Sequence, residues 1–301
     1  MANLLTLFVC LAAGVVLRRT GRLPENSHSV LNTFIINISL PALTLAQIHG
    51  VHLQSALAYS VAMPWAMFIL GAAFFWTVAR LLKLSAATTG GLMLVGGLAN
   101  TSFVGLPMIE AFYGHSEMAV GIVIDQLGTY LVLSTLGIAI AAIYSEGAAS
   151  AREIAKRIVT FPPLLALLLA VALYRVDYPG WLSTVLVRLG DTLAPLALVS
   201  VGFQLRLTAI EENGAALAAG LAFKLCIAPL LLTVLYVGVL RATGRVVQVT
   251  LFESAMGPQI GGSIIAIQYG LNPPLVTLMV GIGIALSFLT APMWWYLLAS
   301  V

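Results

Sequence analysis

The sequence predicts an all-α integral membrane protein: ten transmembrane helices in a 5+5 inverted repeat, with broken, crossing helices 4 and 9. Three observations carry this expectation. Of 301 residues, 60% are hydrophobic and 8% are charged, with a mean hydropathy of +1.04. Ordinary soluble domains carry about 25% charged residues, so too little polar surface exists here to face water. The apolar stretches run to about 20 residues, which suits helices crossing a hydrocarbon core of roughly 30 Å, and no barrel-type alternation is present. Two of the stretches carry Gly/Pro interruptions where a membrane helix should run straight.

Polar breaks divide the chain into spans at 3–18, 28–48, 55–82, 87–113, 117–144, 157–175, 181–203, 214–240, 247–269 and 274–299. The first is read as a retained helix because no basic segment precedes Leu4. Ser145–Arg157 is read as a short hydrophilic connector, and no loop has room for a soluble domain. Pro24 and Pro179, Pro41 and Pro195, and Tyr113 and Tyr269 are separated by 155, 154 and 156 residues. These near-equal spacings divide the chain into a first half, 1–145, and a second, 146–301. An odd number of spans per half inverts one half relative to the other, an arrangement used by secondary transporters. With the N-terminus outside, nine Lys/Arg, Arg206 among them, fall in cytoplasmic loops. Three, Arg175, Arg241 and Arg245, fall outside. The bias places both termini outside the inner (plasma) membrane of the cell, although Arg241 and Arg245 sit awkwardly in that scheme.

The interruptions are Gly96–Pro107, containing Asn100, Thr101 and Ser102, and Ala255–Gly262, containing Gly257, Pro258 and Gln259. Each is followed by a Tyr-Gly pair, Tyr113-Gly114 and Tyr269-Gly270. A helix broken at membrane depth exposes N–H groups at one half-helix end and carbonyls at the other. The N–H end suits a carboxylate and the carbonyl end suits a cation. Asn100, Thr101, Ser102, Pro107, Gly257, Pro258 and Gln259 are therefore candidate substrate-binding positions; simple kinks and close-packing sites are the competing reading. Pro41 and Pro195 free the carbonyls of Asn37 and Asp191, which makes Asn37 a further candidate.

Glu110, Asp125, Arg188, Asp191, Lys224 and Glu253 all fall within predicted spans. Ionisable residues at such depth are costly and mark functional candidates. Lys224 either attracts an anionic substrate or pairs with Glu253. Asp125 with Thr129, together with Glu253 and Glu110, forms a candidate cation or proton site; hydrogen bonding of Asp125 to the broken fourth span is the alternative. No cofactor is expected, and Na+ or H+ remains open as a coupling ion. The four histidines, His28, His49, His52 and His115, lie in or beside loops with no nucleophile next to them, and no phosphate-binding Gly-Lys-Ser/Thr loop exists. An enzyme is not expected. Cys10 and Cys226 lie inside apolar runs and read as small core side chains.

The run Asn100-Thr101-Ser102-Phe103-Val104-Gly105-Leu106-Pro107 resembles the auxin efflux carrier family, with the Pro258 region and Tyr269-Gly270 similar to its ninth span. That family includes the plant PIN auxin exporters and bacterial permeases for malonate or malate. The short connector after the fifth span looks like that of a bacterial member. The resemblance implies a fold shared with bile-acid sodium symporters, in which spans 1, 2, 6 and 7 form a scaffold and spans 3–5 and 8–10 a transport domain. It also implies a substrate site near the crossing, with the family's asparagine mapping onto Asn100 and its break prolines onto Pro107 and Pro258. The expected function is secondary transport of a small organic anion, a mono- or dicarboxylate. Sodium-coupled transport of a larger amphipathic anion and a non-transporting receptor are the alternatives. Expected partners are that anion, the lipid bilayer and, as an option, a second copy in a homodimer; nucleic acid is not among them.

Overall fold

The computed structural model describes residues 2–48, 58–145, 150–173, 176–205 and 209–301, and among them it contains helices and connections but no strand. His49, His52, Arg175 and Arg206 lie outside the described residues. In chain order the helices are α1 (Ala2–Arg19), α2 (Ser27–Ala46), α3 (Ala58–Leu82), α4 (Ala86–Gly96), α5 (101–113), α6 (Met118–Tyr144), α7 (Ala151–Val159), α8 (Pro162–Ala172), α9 (Gly180–Gln204), α10 (Ile210–Val239), α11 (Arg245–Ser254), α12 (Ile260–Gln268) and α13 (Pro273–Leu298). Six of these, α2, α3, α6, α9, α10 and α13, are long and apolar enough to cross a membrane. The fold is thus that of an all-helical membrane protein, the arrangement that satisfies backbone groups internally where lipid offers no partner.

The two interrupted stretches become pairs of shorter helices, α4 with α5 and α11 with α12. Local chemistry sets their ends. Ser85 caps α4 by accepting from Thr88 N–H at 3.1 Å, and Asn272 caps α13 by accepting from Leu275 N–H at 3.2 Å. Gly114 and Gly270 terminate α5 and α12 at φ +94° and +70°, a backbone region open to glycine at no steric cost. Each Tyr-Gly pair thus marks a helix end with a positive-φ glycine, as the C-cap in Gly114 and one residue past it in Gly270.

One expected span is divided. The stretch 157–175 was expected as a single helix preceded by a loop; instead α7 begins at Ala151 and α8 follows after Thr160-Phe161. Ser150 and Glu153 form a capping box, each satisfying the other's backbone N–H, which starts a charged helix inside the expected connector. Pro162 and Pro163 occupy the first turn of α8, where their missing N–H groups cost nothing.

Packing is close where side chains are small. α1 lies against the second half of α9: a Cβ on Gly14 would collide with the Val199 carbonyl, and one on Gly202 with the Leu11 carbonyl. Small residues at such contacts let membrane helices approach backbone to backbone. Wide, π-type turns occur at Ile35–Ser39, Thr101–Gly105, Ile124–Thr129, Leu133–Gly137, Phe223–Ile227 and Val234–Val239. Three are followed within two residues by Pro41, Pro107 and Pro229. Proline withholds a donor from the carbonyl four residues back, and such turns concentrate at functional positions. The carbonyl freed by Pro229, that of Leu225, accepts from Trp294 Nε1–H at 2.8 Å.

Candidate functional site

The two interruptions meet. Asn100 N–H donates to the Gly257 carbonyl at 2.9 Å, and Gln259 N–H donates to the Val95 carbonyl at 3.2 Å. Between them Ala99 and Pro258 form an isolated antiparallel bridge. Backbone freed by each interruption is thus satisfied by the other, as a buried break in a membrane helix requires. Gly257 and Pro258 pack against α13: a Cβ on Gly257 would stand 3.2 Å from Ile284 Cα, and one on Gly283 would overlap the Pro258 ring.

Asn100 is fully buried and caps α5. Its Oδ1 accepts from Phe103 N–H at 3.2 Å, while its Nδ2 has no hydrogen-bond partner. A buried amide donor left unmatched costs about 1–3 kcal/mol, so this atom is a free hand inside the site. Gln259, 7% exposed, holds the corresponding position at the start of α12.

Asp125 lies in the wide turn of α6, with its side chain against the start of α5. Thr101 Oγ1 and Ser102 Oγ both donate to its Oδ1 at 2.5 Å, and Gln126 Nε2 donates to its Oδ2 at 2.7 Å. Thr129 occupies the same wide turn, but its buried hydroxyl has no hydrogen-bond partner and does not join this cluster. Asp125 is thus hydrogen-bonded to the broken segment, the structural alternative for this residue.

Glu253, on α11, is fully buried against Gly105 of that segment and Gly121 of α6. Neither of its carboxyl oxygens has a hydrogen-bond partner. It fits because two glycines make room. A Cβ on Gly105 would fall onto the carboxyl group, and one on Gly121 would stand 3.6 Å from Oε1. Lys224, also fully buried, does not hydrogen-bond Glu253; its Nζ donates to the Ser254 carbonyl at 2.7 Å and approaches Met67 Sδ at 3.7 Å. These glycine seats and the Lys224 contact are absent from the sequence reading, although Gly105 stands in the motif.

A cavity of about 540 Å³ opens beside the first interruption. Ser102, Phe103, Leu106, Pro107 and Glu110 line one wall, and Gly190, Asp191, Ala194 and Pro195 of α9 line the other, with Thr6 of α1 at its edge. A second cavity, of about 530 Å³, is lined by Arg18, His28, Phe203, Gln204, Pro273 and Pro274. Thr6 and Arg18 lie twelve residues apart on α1, about 18 Å along its axis. The two cavities therefore sit at opposite ends of that helix. Asn37 lines neither: it is exposed, and its Nδ2 donates to the Thr33 carbonyl at 2.8 Å. Arg245 packs over the Tyr113 ring at 4.8 Å and reaches Glu117 at 4.0 Å, which ties the start of α11 to the end of α5.

Apolar helices with paired interruptions and buried polar groups are the features of an integral membrane transporter. The chain matches the Membrane transport protein family over residues 1–295, and it belongs to that family, which includes the auxin efflux carriers. Among its relatives is an uncharacterized transporter of Methanothermobacter thermautotrophicus, 31% identical over 97% of this chain and 96% of the relative. An uncharacterized transporter of Methanocaldococcus jannaschii is 24% identical over 100% of this chain and 99% of its own length.

Proposed function

We propose that this protein is a secondary transporter of a small organic anion, a mono- or dicarboxylate, working by alternating access. In this reading ten spans form two inverted five-span halves, both termini face outward, and the interrupted helices cross at the substrate site. The observation that carries it is the pair of interruptions joined backbone to backbone, with a fully buried Asn100 whose amide donor is unmatched. The carboxylate would be held by Asn100 Nδ2 and the N-terminal ends of α5 and α12, which carry partial positive charge. Ser102 and Pro107 would form its entry from the cavity beside the first interruption. The α1–α9 unit stays fixed while the interrupted helices move against it, opening the two cavities in turn. Asp125, with Thr101 and Ser102, is the site for a coupling Na+ or H+; no nucleotide-binding loop is present to supply another energy source.

One observation favours a second reading. The charged residues lining the cavity beside the first interruption are Glu110 and Asp191, both acids, with no Lys or Arg among them. An acidic wall attracts a cationic or zwitterionic solute and repels an anion. Counterflow in proteoliposomes separates the two: preloaded labelled carboxylates should exchange, whereas amines should not. Exchange of amines alone would establish the second reading, and saturable binding without any counterflow would point to a receptor.

A further inference from the structure

We propose that the Lys224 ammonium is the resident cation of the second interruption, holding the carbonyl end of α11 where a dissociable ion would otherwise bind. This deepens the transporter reading by confining any exchangeable cation to the Asp125 cluster.

The argument starts from the four last carbonyls of α11, which have no helical partner once the helix stops at Ser254. Leu251 O accepts from Ser254 Oγ at 2.6 Å, Phe252 O from Ala255 N–H at 3.0 Å, and Glu253 O from Met256 N–H at 3.2 Å. Ser254 O, the outermost, receives Lys224 Nζ at 2.7 Å. Every terminal carbonyl is therefore satisfied, and the last one is satisfied by a side-chain cation. A helix C-terminus carries about half a negative charge, which a cation on its axis stabilises.

Lys224 is built for this reach. It is fully buried, at a depth where an unpaired ammonium is prohibitive, and it lies in the wide turn Phe223–Ile227 of α10. Its Nζ also approaches the soft thioether of Met67, at 3.7 Å. Glu253, one residue before the capped carbonyl, makes no hydrogen bond to Lys224. The first interruption is built the other way: hydroxyls, an amide and the Asp125 carboxylate converge there. One break thus carries its cation covalently, and the other presents oxygen ligands.

Thermal melting of the purified full-length protein in detergent tests this, with NaCl, KCl and choline chloride compared at equal ionic strength. In an Asp125→Asn background, which removes the first candidate site, the midpoint should not distinguish the salts. Adding Lys224→Ala should lower the midpoint in choline and create a saturable recovery of about 3 °C or more with Na+, K+ or methylammonium. Two results would overturn the proposal. One is a Na+ or K+ response in Asp125→Asn with Lys224 in place. The other is Lys224→Ala melting like its parent with no response to any cation. The first arm leaves Lys224 unchanged, so it can overturn the proposal even where the alanine variant does not fold, and Lys224→Met supplies the second arm in that case. Neither arm depends on transport, so loss of the carboxylate reading would leave the result standing.

Discussion

Asn100 performs two tasks with two atoms, and substitution separates them. Its Oδ1 caps α5 through Phe103 N–H, and its Nδ2 is the unmatched buried donor assigned to the substrate. Asn100→Ala removes both and should lower stability by about 1 kcal/mol, the usual cost of losing an N-cap. Asn100→Ser keeps a capping oxygen of nearly equal quality and removes only the amide donor, so its stability should stay within about 0.5 kcal/mol of wild type. Each variant should weaken carboxylate binding by about 1.5–3 kcal/mol, the scale of a hydrogen bond to a charged group. That loss corresponds to roughly a 10- to 100-fold rise in Kd. The assay pairs thermal melting with equilibrium binding of a labelled carboxylate that the counterflow screen identifies. The informative protein is Asn100→Ser. If it melts like wild type and binds the ligand within about twofold of wild type, Nδ2 does not hold the substrate, and the site assignment at the first interruption fails.

Other substitutions test the surroundings. Gly105→Ala should destabilise the protein by about 1–3 kcal/mol because its methyl group lands on the Glu253 carboxyl. A double-mutant cycle with Glu253→Ala should recover at least about 1 kcal/mol of that, and additive losses would refute the contact. Asp125→Asn should abolish whichever gradient dependence, Na+ or H+, wild-type uptake shows when the two are imposed separately; wild-type uptake indifferent to both would remove the coupling role. Gly202→Val should cost about 2–3 kcal/mol in thermal melting, because its side chain meets the Leu11 backbone. Gly21→Ala, in open space at φ +63°, should cost only the strain of that backbone region, about 1 kcal/mol. Equal effects at the two glycines would undo the packing argument for α1 and α9.

The features that can be read from the sequence are those that break a local rule. Gly/Pro runs inside apolar stretches mark the interruptions because no straight membrane helix tolerates them undisturbed, and the Tyr-Gly stops declare a helix end. Even the start of α7 is written in Ser150-Ala151-Arg152-Glu153, a capping-box pattern that its charged surroundings disguise as a loop. The wide turns are silent, because one extra residue in a helical turn changes no composition. Yet Asn37, Thr101, Asp125 and Lys224 all lie in such turns, so the facing of each is shifted from what a 3.6-residue period predicts.

Lys224 shows what that shift does to a functional reading. Opposite charges on two apolar helices suggest an ion pair, and the sequence offers Glu253 as the partner of Lys224. The side chain meets Ser254 O instead, one residue further along α11. Side chains project radially from a helix whereas its last carbonyls point along the axis, so Lys224 meets the end of α11 and not the Glu253 side chain. Glu253 is then left without a hydrogen-bonding partner between two glycines, beside the segment that carries Asn100. The second interruption therefore holds a hydrogen-bonded cation at a helix end beside an acid with no hydrogen-bonding partner, in place of a direct ion pair. The two arrangements predict different responses to added cations, which is why the ion comparison at Lys224 bears on the transport mechanism as well as on packing.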